Sequence, residues 1–329
     1  MDLLKRADGL HVLVNGEGWG DVLHSHTYGP YFFWKGRRYK GRRVFTVHVI
    51  PDSAKGSIPA ERLLMPAVRW YLRRVYNYAD VCISISPTVT EEMRRLGVRS
   101  RIVQIGNPLN TDRFRTDPEL RARGRELLGV DESSFVVIGV GQLERRKGVE
   151  DFIDVASMCP EIQFVWVGGR PLGAMTEGIA RIDRRIEEAG PNVRFAGLLD
   201  LESMPLAYNA GDAFLFPSYQ ENCPLAPMEA ALCGMPVVFR DLPEYRTLYE
   251  TAYDAAGDNP GFAELIRKLH DDQSFHAEAT ERSATLAKQF DRERILVTLE
   301  DLYRSLAADK DTGRGRMAGL RAKLRRRRR

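Results

Sequence analysis

Short apolar runs alternate with helical patterns along the whole chain. Runs of four to six apolar residues without alternation read as strands buried on both faces. They fall at 44–49, 81–85, 102–105, 135–140, 162–167, 193–195, 213–216 and 236–239, and Asp21-Val-Leu-His reads as a further strand. Helical spacing fills the gaps, at 60–78, 88–96, 147–158, 176–189, 201–210, 225–233 and 243–250. This alternation predicts an α/β fold on parallel sheets. The polar stretch 107–129 reads as a connection between two such sheets. The expected domains are 1–125, 126–306 with helices alone from about 260, and a basic disordered tail over 307–329. The second unit reads as complete. The first opens at Gly9 with no preceding strand, and Gly16-x-Gly-x-Gly20 leads into a strand, the wrong order for a phosphate turn. It is expected to lack its first strand.

Composition adds two things. With 43% hydrophobic and 9% aromatic residues, the 329-residue chain can fill two cores. No apolar run reaches the roughly 20 residues that cross a bilayer. Residues 1–8 hold no apolar region of signal-peptide length. Cys82, Cys159, Cys223 and Cys233 are scattered, which suggests neither a zinc site nor a disulfide framework. A reducing cytoplasm is the expected compartment. The net charge of +4 conceals a division. Residues 314–329 hold nine Lys/Arg and no acid, so the remaining body carries 40 basic against 45 acidic residues.

The densest candidate chemistry lies in Glu221-Asn-Cys-Pro-Leu-Ala-Pro-Met-Glu229, between an apolar strand and a helix. Proline is tolerated in a first helical turn, and the amides left there form an anion site. Amides for a phosphate, flanked by carboxylates for hydroxyls, suit a nucleotide sugar. The alternative makes Glu221 a loop acid and Glu229 a surface acid near a favourable helix end. In helix 60–78, basic residues interleave with Trp70, Tyr71 and Tyr76, a pattern that fits an anionic bilayer or a core helix kinked at Pro66. The terminal Arg325, Arg326, Arg327, Arg328 and Arg329 cannot form a core. They suit an anionic membrane surface, or any polyanion, with no specific nucleic acid indicated.

Seven segments occur in an order that resembles glycosyltransferase family 4. They are Asp21-Val-Leu-His-Ser-His-Thr-Tyr-Gly29, Phe45-Thr-Val-His-Val49, Ala79-Asp-Val-Cys-Ile-Ser-Ile-Ser-Pro87, Gly106-Asn-Pro-Leu-Asn-Thr-Asp-Arg-Phe114, Val140-Gly-Gln-Leu-Glu-Arg-Arg-Lys-Gly148, Asp212-Ala-Phe-Leu-Phe-Pro-Ser218 and the Glu221–Glu229 loop. The resemblance covers residues 20–250. Phe164-Val-Trp-Val-Gly-Gly169 and Arg240-Asp-Leu-Pro-Glu-Tyr245 are similar to the bacterial diacylglycerol glucosyltransferase branch. The resemblance implies a GT-B fold, with two Rossmann-like domains facing a cleft. It implies a retaining enzyme that moves a hexose, glucose in that branch, from a UDP-sugar to a membrane lipid such as diacylglycerol. No cofactor or metal is implied, and the enzyme would sit peripherally on the inner face of the cell membrane.

The same resemblance distributes roles. Glu229 would hold the ribose hydroxyls, and Glu221 the sugar hydroxyls with backbone amides over Asn222, Cys223, Pro224 and Leu225. Gly141, Gln142, Arg146 and Lys147 would meet the donor, with Lys147 on the diphosphate. Gln142 stands where family members commonly carry arginine, which leaves Arg145 or Arg146 as substitutes. His48 is the implied active-site histidine, with His24 and His26 supporting it. Two other readings stay open: the same donor chemistry on a soluble or polysaccharide acceptor, and a truncated non-catalytic remnant that binds a nucleotide sugar or polyanion.

Overall fold

A computed structural model of the protein describes residues 4, 9–14, 20–54, 61–170 and 179–326, with backbone alone beyond 309. Two compact units emerge. The first comprises Met1–Pro51, Leu64–Gly106 and Glu293–Arg329, and the second Asp52–Leu63 and Asn107–Arg292.

In the first unit, β1 (Val22–Ser25), β2 (Arg42–Val47), β3 (Val81–Ser84) and β4 (Arg101–Gln104) form a parallel sheet in the order β1-β2-β3-β4. Helices α1 (Pro30–Arg38), α2 (Glu61–Tyr78) and α3 (Pro87–Arg95) connect them. Ser86 starts α3 by accepting a hydrogen bond from the Val89 amide, and Pro87 follows where its missing N–H costs nothing. The Gly16–Gly20 run lies largely outside the described residues.

The second unit holds β5 (Val136–Val140), β6 (Gln163–Val167), β7 (Val193–Gly197), β8 (Ala213–Phe216), β9 (Val237–Arg240) and β10 (Asp254–Ala256). Its helices are α4 (Pro118–Leu128), α5 (Val149–Met158), α6 (Ile179–Glu187), α7 (Met204–Ala210), α8 (Ala226–Leu232), α9 (Pro243–Leu248), α10 (Asn259–Asp271) and α11 (Gln273–Ala287). All pairings are parallel, in the order β10-β9-β8-β5-β6-β7. The chain moves outward from β5 to β7, then returns to lay β8 beside β5. That reversal opens a crevice at the carboxyl ends of β5 and β8, where open α/β sheets bind ligands. Phe152, Phe164 and Trp166 fill the core behind it.

Three expectations shift. The first unit ends at Gly106 rather than at 125, because residues 118–128 are helix α4 of the second unit. Asp117 caps α4 by accepting from the Glu119 and Leu120 amides at 3.0 and 3.3 Å, and left-handed Gly129 closes it. Its mostly polar surface hid it in the sequence. The chain's last helix, α12 (Arg292–Arg326), returns to the first unit instead of finishing the second. Ile295, Leu299, Leu302 and Leu306, at spacings of three and four, join Val22, Val44, Val81, Ile83 and Ile105 in one cluster. Finally, α12 continues through Arg326, where a structureless tail was expected. Leucine, alanine, methionine and arginine over 317–326 are strong helix formers, so polarity there did not signify disorder.

Candidate active site

The crevice at β5 and β8 is built from the two turns that leave those strands. After β5, Gly141–Glu144 leads into a 3-10 turn (Arg145–Lys147) and then α5. After β8, Pro217–Leu225 leads into α8. The turns meet at Glu221, which is 9% exposed. Lys147 Nζ donates to Glu221 Oε1 at 2.5 Å, and Ser218 Oγ donates to the same oxygen at 2.7 Å. Arg146 Nη1 stands 3.6 Å from that oxygen and donates to the Gln220 carbonyl at 2.9 Å. Charge-assisted bonds of this kind are about twice as strong as neutral ones.

Two glycines make the approach possible. Gly148 has φ 72°, and a Cβ there would lie 2.3 Å from the Pro217 carbonyl oxygen. Gly168, at the end of β6, has φ 144°, and its Cβ would lie 1.9 Å from the Gly141 oxygen. A side chain at either would force the turns apart. Gly141 lies beneath the Lys147 stem, and its carbonyl accepts from Trp166 Nε1 at 3.0 Å. Arg240 braces the second turn from behind. Its Nε donates to the Pro217 carbonyl at 2.8 Å, its Nη2 pairs with Asp151 at 3.0 Å, and its guanidinium lies 3.9 Å from the centre of the Tyr219 ring.

The remaining expected donor residues have distinct surroundings. Glu229, in the first turn of α8, accepts from the Tyr208 hydroxyl at 2.9 Å. Burial raises its carboxyl above the ordinary range, opposed by that hydrogen bond and by the Arg113 charge. Asn222 receives Gln220 Nε2 at 2.9 Å and donates to Ser53 Oγ at 2.8 Å. Cys223 and Pro224 are buried, Leu225 half-buried. Burial pushes the Cys223 thiol up to about 11, which leaves no thiolate for nucleophilic work. Gln142 and Arg145 are exposed on the first turn. The structure thus joins Arg146, Lys147 and Glu221 directly, while Glu229 is held separately by Tyr208. Ser218, Tyr208 and Arg240 went unassigned in the sequence. Ser218 and Arg240 sit inside quoted motifs, but no spacing rule marks Tyr208.

His48 follows β2 in the first unit, at the carboxyl edge of that sheet. Its Nε2 lies 3.2 Å from His26 Nδ1, with the rings stacked. Burial lowers the His48 pKa. Burial and the neighbouring imidazoles lower His24 to about 3 and His26 to about 4. On α2, Tyr76 is buried and Tyr71 donates to the Tyr28 carbonyl, whereas Trp70 is 65% exposed. Trp70, Arg73, Arg74, Asn77, Arg99 and Ser100 line a cavity of about 530 Å³. Arg325 and Arg326 end α12 as backbone, and Arg327, Arg328 and Arg329 lie outside the described residues. Among the described residues, no group of three or more His, Cys, Asp or Glu is arranged to hold a metal ion, and no helix is long and apolar enough to cross a membrane.

Comparison with known proteins agrees with this division. Residues 17–113 match the family described as Glycosyltransferase Family 4, and residues 134–272 match Glycosyl transferases group 1. The alpha-galactosylglucosyldiacylglycerol synthase of Streptococcus pneumoniae is 32% identical, over 93% of this chain and 83% of that protein. The processive diacylglycerol alpha-glucosyltransferase of Acholeplasma laidlawii is 32% identical, over 65% of this chain and 64% of that protein. Among solved structures, sucrose-phosphate synthase from Thermosynechococcus elongatus superposes with a TM-score of 0.74 at 22% identity, over 88% of this chain and 74% of the other. Anabaena HepE in complex with UDP-glucose gives 0.73 at 22% identity, over 87% and 79%. The chain shares their fold.

Proposed function

We propose, since this chain belongs to glycosyltransferase family 4 and is a hexosyltransferase of GT-B fold, that it moves glucose from UDP-glucose to a membrane lipid such as diacylglycerol, with retention at the anomeric carbon. The observation that carries the donor side is the meeting of Lys147, Arg146 and Glu221 at the β5/β8 reversal. Cations there match a diphosphate, and the carboxylate matches sugar hydroxyls. Glu229 takes the ribose hydroxyls, and His48 is the active-site histidine. As the bond to the leaving phosphate breaks, negative charge grows on its oxygens, and Lys147 with the loop amides stabilises it. The acceptor hydroxyl enters on the face the phosphate leaves, and the phosphate takes its proton. No divalent ion is required for this charge balance.

Two named relatives act on diacylglycerol lipids, which supports a lipid acceptor. A surface peripheral to an anionic inner leaflet fits Trp70 beside Arg73, Arg74 and Arg99, together with the cationic end of the chain. The test is a screen of radiolabelled UDP-, GDP- and ADP-hexoses against membrane lipid extract and against soluble sugars, with and without EDTA. Label from UDP-glucose in the organic phase, α-linked by NMR and insensitive to EDTA, is the expected result. Label confined to water-soluble products, or lost with EDTA, overturns the corresponding part.

A further inference from the structure

A line of contacts runs from the end of the chain to His48. β1 and β2, each with the residue that continues it, place His24 and His26, and Thr46 and His48, on one face, because side chains two apart point alike. Helix α12 packs its apolar ridge over this face, next to Val22 and Val44. From α12, Tyr303 reaches down, and its hydroxyl stands 2.5 Å from His24 Nδ1. The other ring nitrogen, His24 Nε2, lies 2.7 Å from Thr46 Oγ1. With both nitrogens engaged, the ring cannot flip or turn without breaking a bond. The His24 face lies against His26, centroids 4.4 Å apart, and His26 Nδ1 meets His48 Nε2 at 3.2 Å.

We propose that Tyr303 and His24, by fixing the ring on which His26 packs, are positioning residues for the orientation of His48, and that His26 sets the tautomer of His48 through their shared hydrogen bond. The physical reason is the donor inventory. A neutral imidazole has one N–H and one lone pair, so in the His26–His48 contact one nitrogen must donate and the other accept. Whichever proton His26 carries therefore decides which nitrogen of His48 carries its own. The depressed proton affinities of His24 and His26 keep the chain neutral, so that this complementarity persists at neutral pH. Tyr303 is 279 positions from His24 in the chain, so this line of contacts is complete only once α12 has docked. The catalytic consequence rests on the role given to His48 under Proposed function, whereas the ring coupling does not.

The test uses the full chain labelled with 15N-histidine. Ring nitrogen shifts of His48 are read in the parent protein, Tyr303→Phe and His26→Gln, each checked for an unchanged thermal midpoint. Tyr303→Phe keeps the ring in place and removes only the hydroxyl. The expected result is a redistribution of the His48 tautomer signals in His26→Gln and a displacement of the His48 ring signals in Tyr303→Phe, as the ring beneath His26 loosens. It is accompanied by a fall in kcat of about 10-fold, with KM for the donor within about twofold, as for loss of an interaction needed only in the transition state. Folded variants whose His48 signals match the parent overturn the proposal. Shifted signals with unchanged kcat support the coupling and instead count against the role of His48 in the reaction. Full activity in His48→Ala would count against that role in the same way.

Discussion

The two sheets use the same parallel strands and differ in one topological respect. In the second unit the strand order reverses between β5 and β8, and the two turns flanking the reversal carry Lys147 and Glu221 to 2.5 Å. Among the described residues of the first unit the order β1-β2-β3-β4 does not reverse, and the carboxyl edge carries three imidazoles in contact. Reversal makes a crevice where charge can be concentrated. A one-way sheet offers an edge, on which weakly basic rings orient one another. The second unit thus concentrates paired charge in a crevice, and the first brings imidazoles together at an edge.

That contrast can be broken by experiment. Glu221→Gln and Lys147→Ala should each lower kcat/KM for hexosyl transfer by about 10²–10³-fold, the range for removing a preorganised charge-stabilising group. A loss below about fivefold in both would remove the second-unit crevice from the chemistry. Leu302→Ala tests the first unit's dependence on α12. Leu302 is buried at 6%, and its truncation should lower unfolding stability by about 2–4 kcal/mol in urea melts, with the loss confined to the first unit by hydrogen exchange. Equal loss of protection in both units would refute the division. Glu229→Ala should raise donor KM by roughly 10-fold, as one hydrogen-bonded charged contact is lost, with a smaller change in kcat.

Acid should distinguish the units as well. His24 and His26 bind protons less readily folded than unfolded, so the unfolded chain takes up more protons as pH falls below the ordinary value of 6.5. Stability from this source is full above about 6.5 and drains as pH falls toward 4. His24 alone contributes a slope approaching about 1.4 kcal/mol per pH unit, and His26, more open to water, less. His24→Asn should flatten that slope in the first unit, and an unchanged slope would contradict it. The smallest effect belongs to the surface. Charge reversal at Arg73 or Arg74 should weaken flotation with anionic vesicles by about 1 kcal/mol per charge removed, with the difference vanishing at high salt.

Much of this was legible in the residues. Uninterrupted apolar runs marked nearly every central strand, and the Glu221–Glu229 loop stood out by its carboxylates and prolines. Edges were harder. β2 ends at Val47, two residues before the apolar run does, and three-residue β10 carries too few apolar positions to register. Helix α4 had its signals in Asp117, Pro118 and Gly129, but a polar surface overrode them. Contacts between distant residues were out of reach. Nothing in the spacing ties Tyr208 to Glu229, Arg240 to the Pro217 carbonyl or Tyr303 to His24, because each depends on which elements pack together.

The return of α12 to the first sheet has a consequence for synthesis. When residues 20–106 leave the ribosome, Val22, Val44 and Ile83 lack the ridge that covers them, and nearly two hundred residues of the second unit must be made before Ile295 emerges. The second unit, made of Asp52–Leu63 and the unbroken run from Asn107 to Arg292, can close while the nascent first sheet still shows apolar surface to water. Birth order and folding order are therefore opposed, and a chain released before α12 carries an exposed sheet face for which chaperones and other unfinished chains compete.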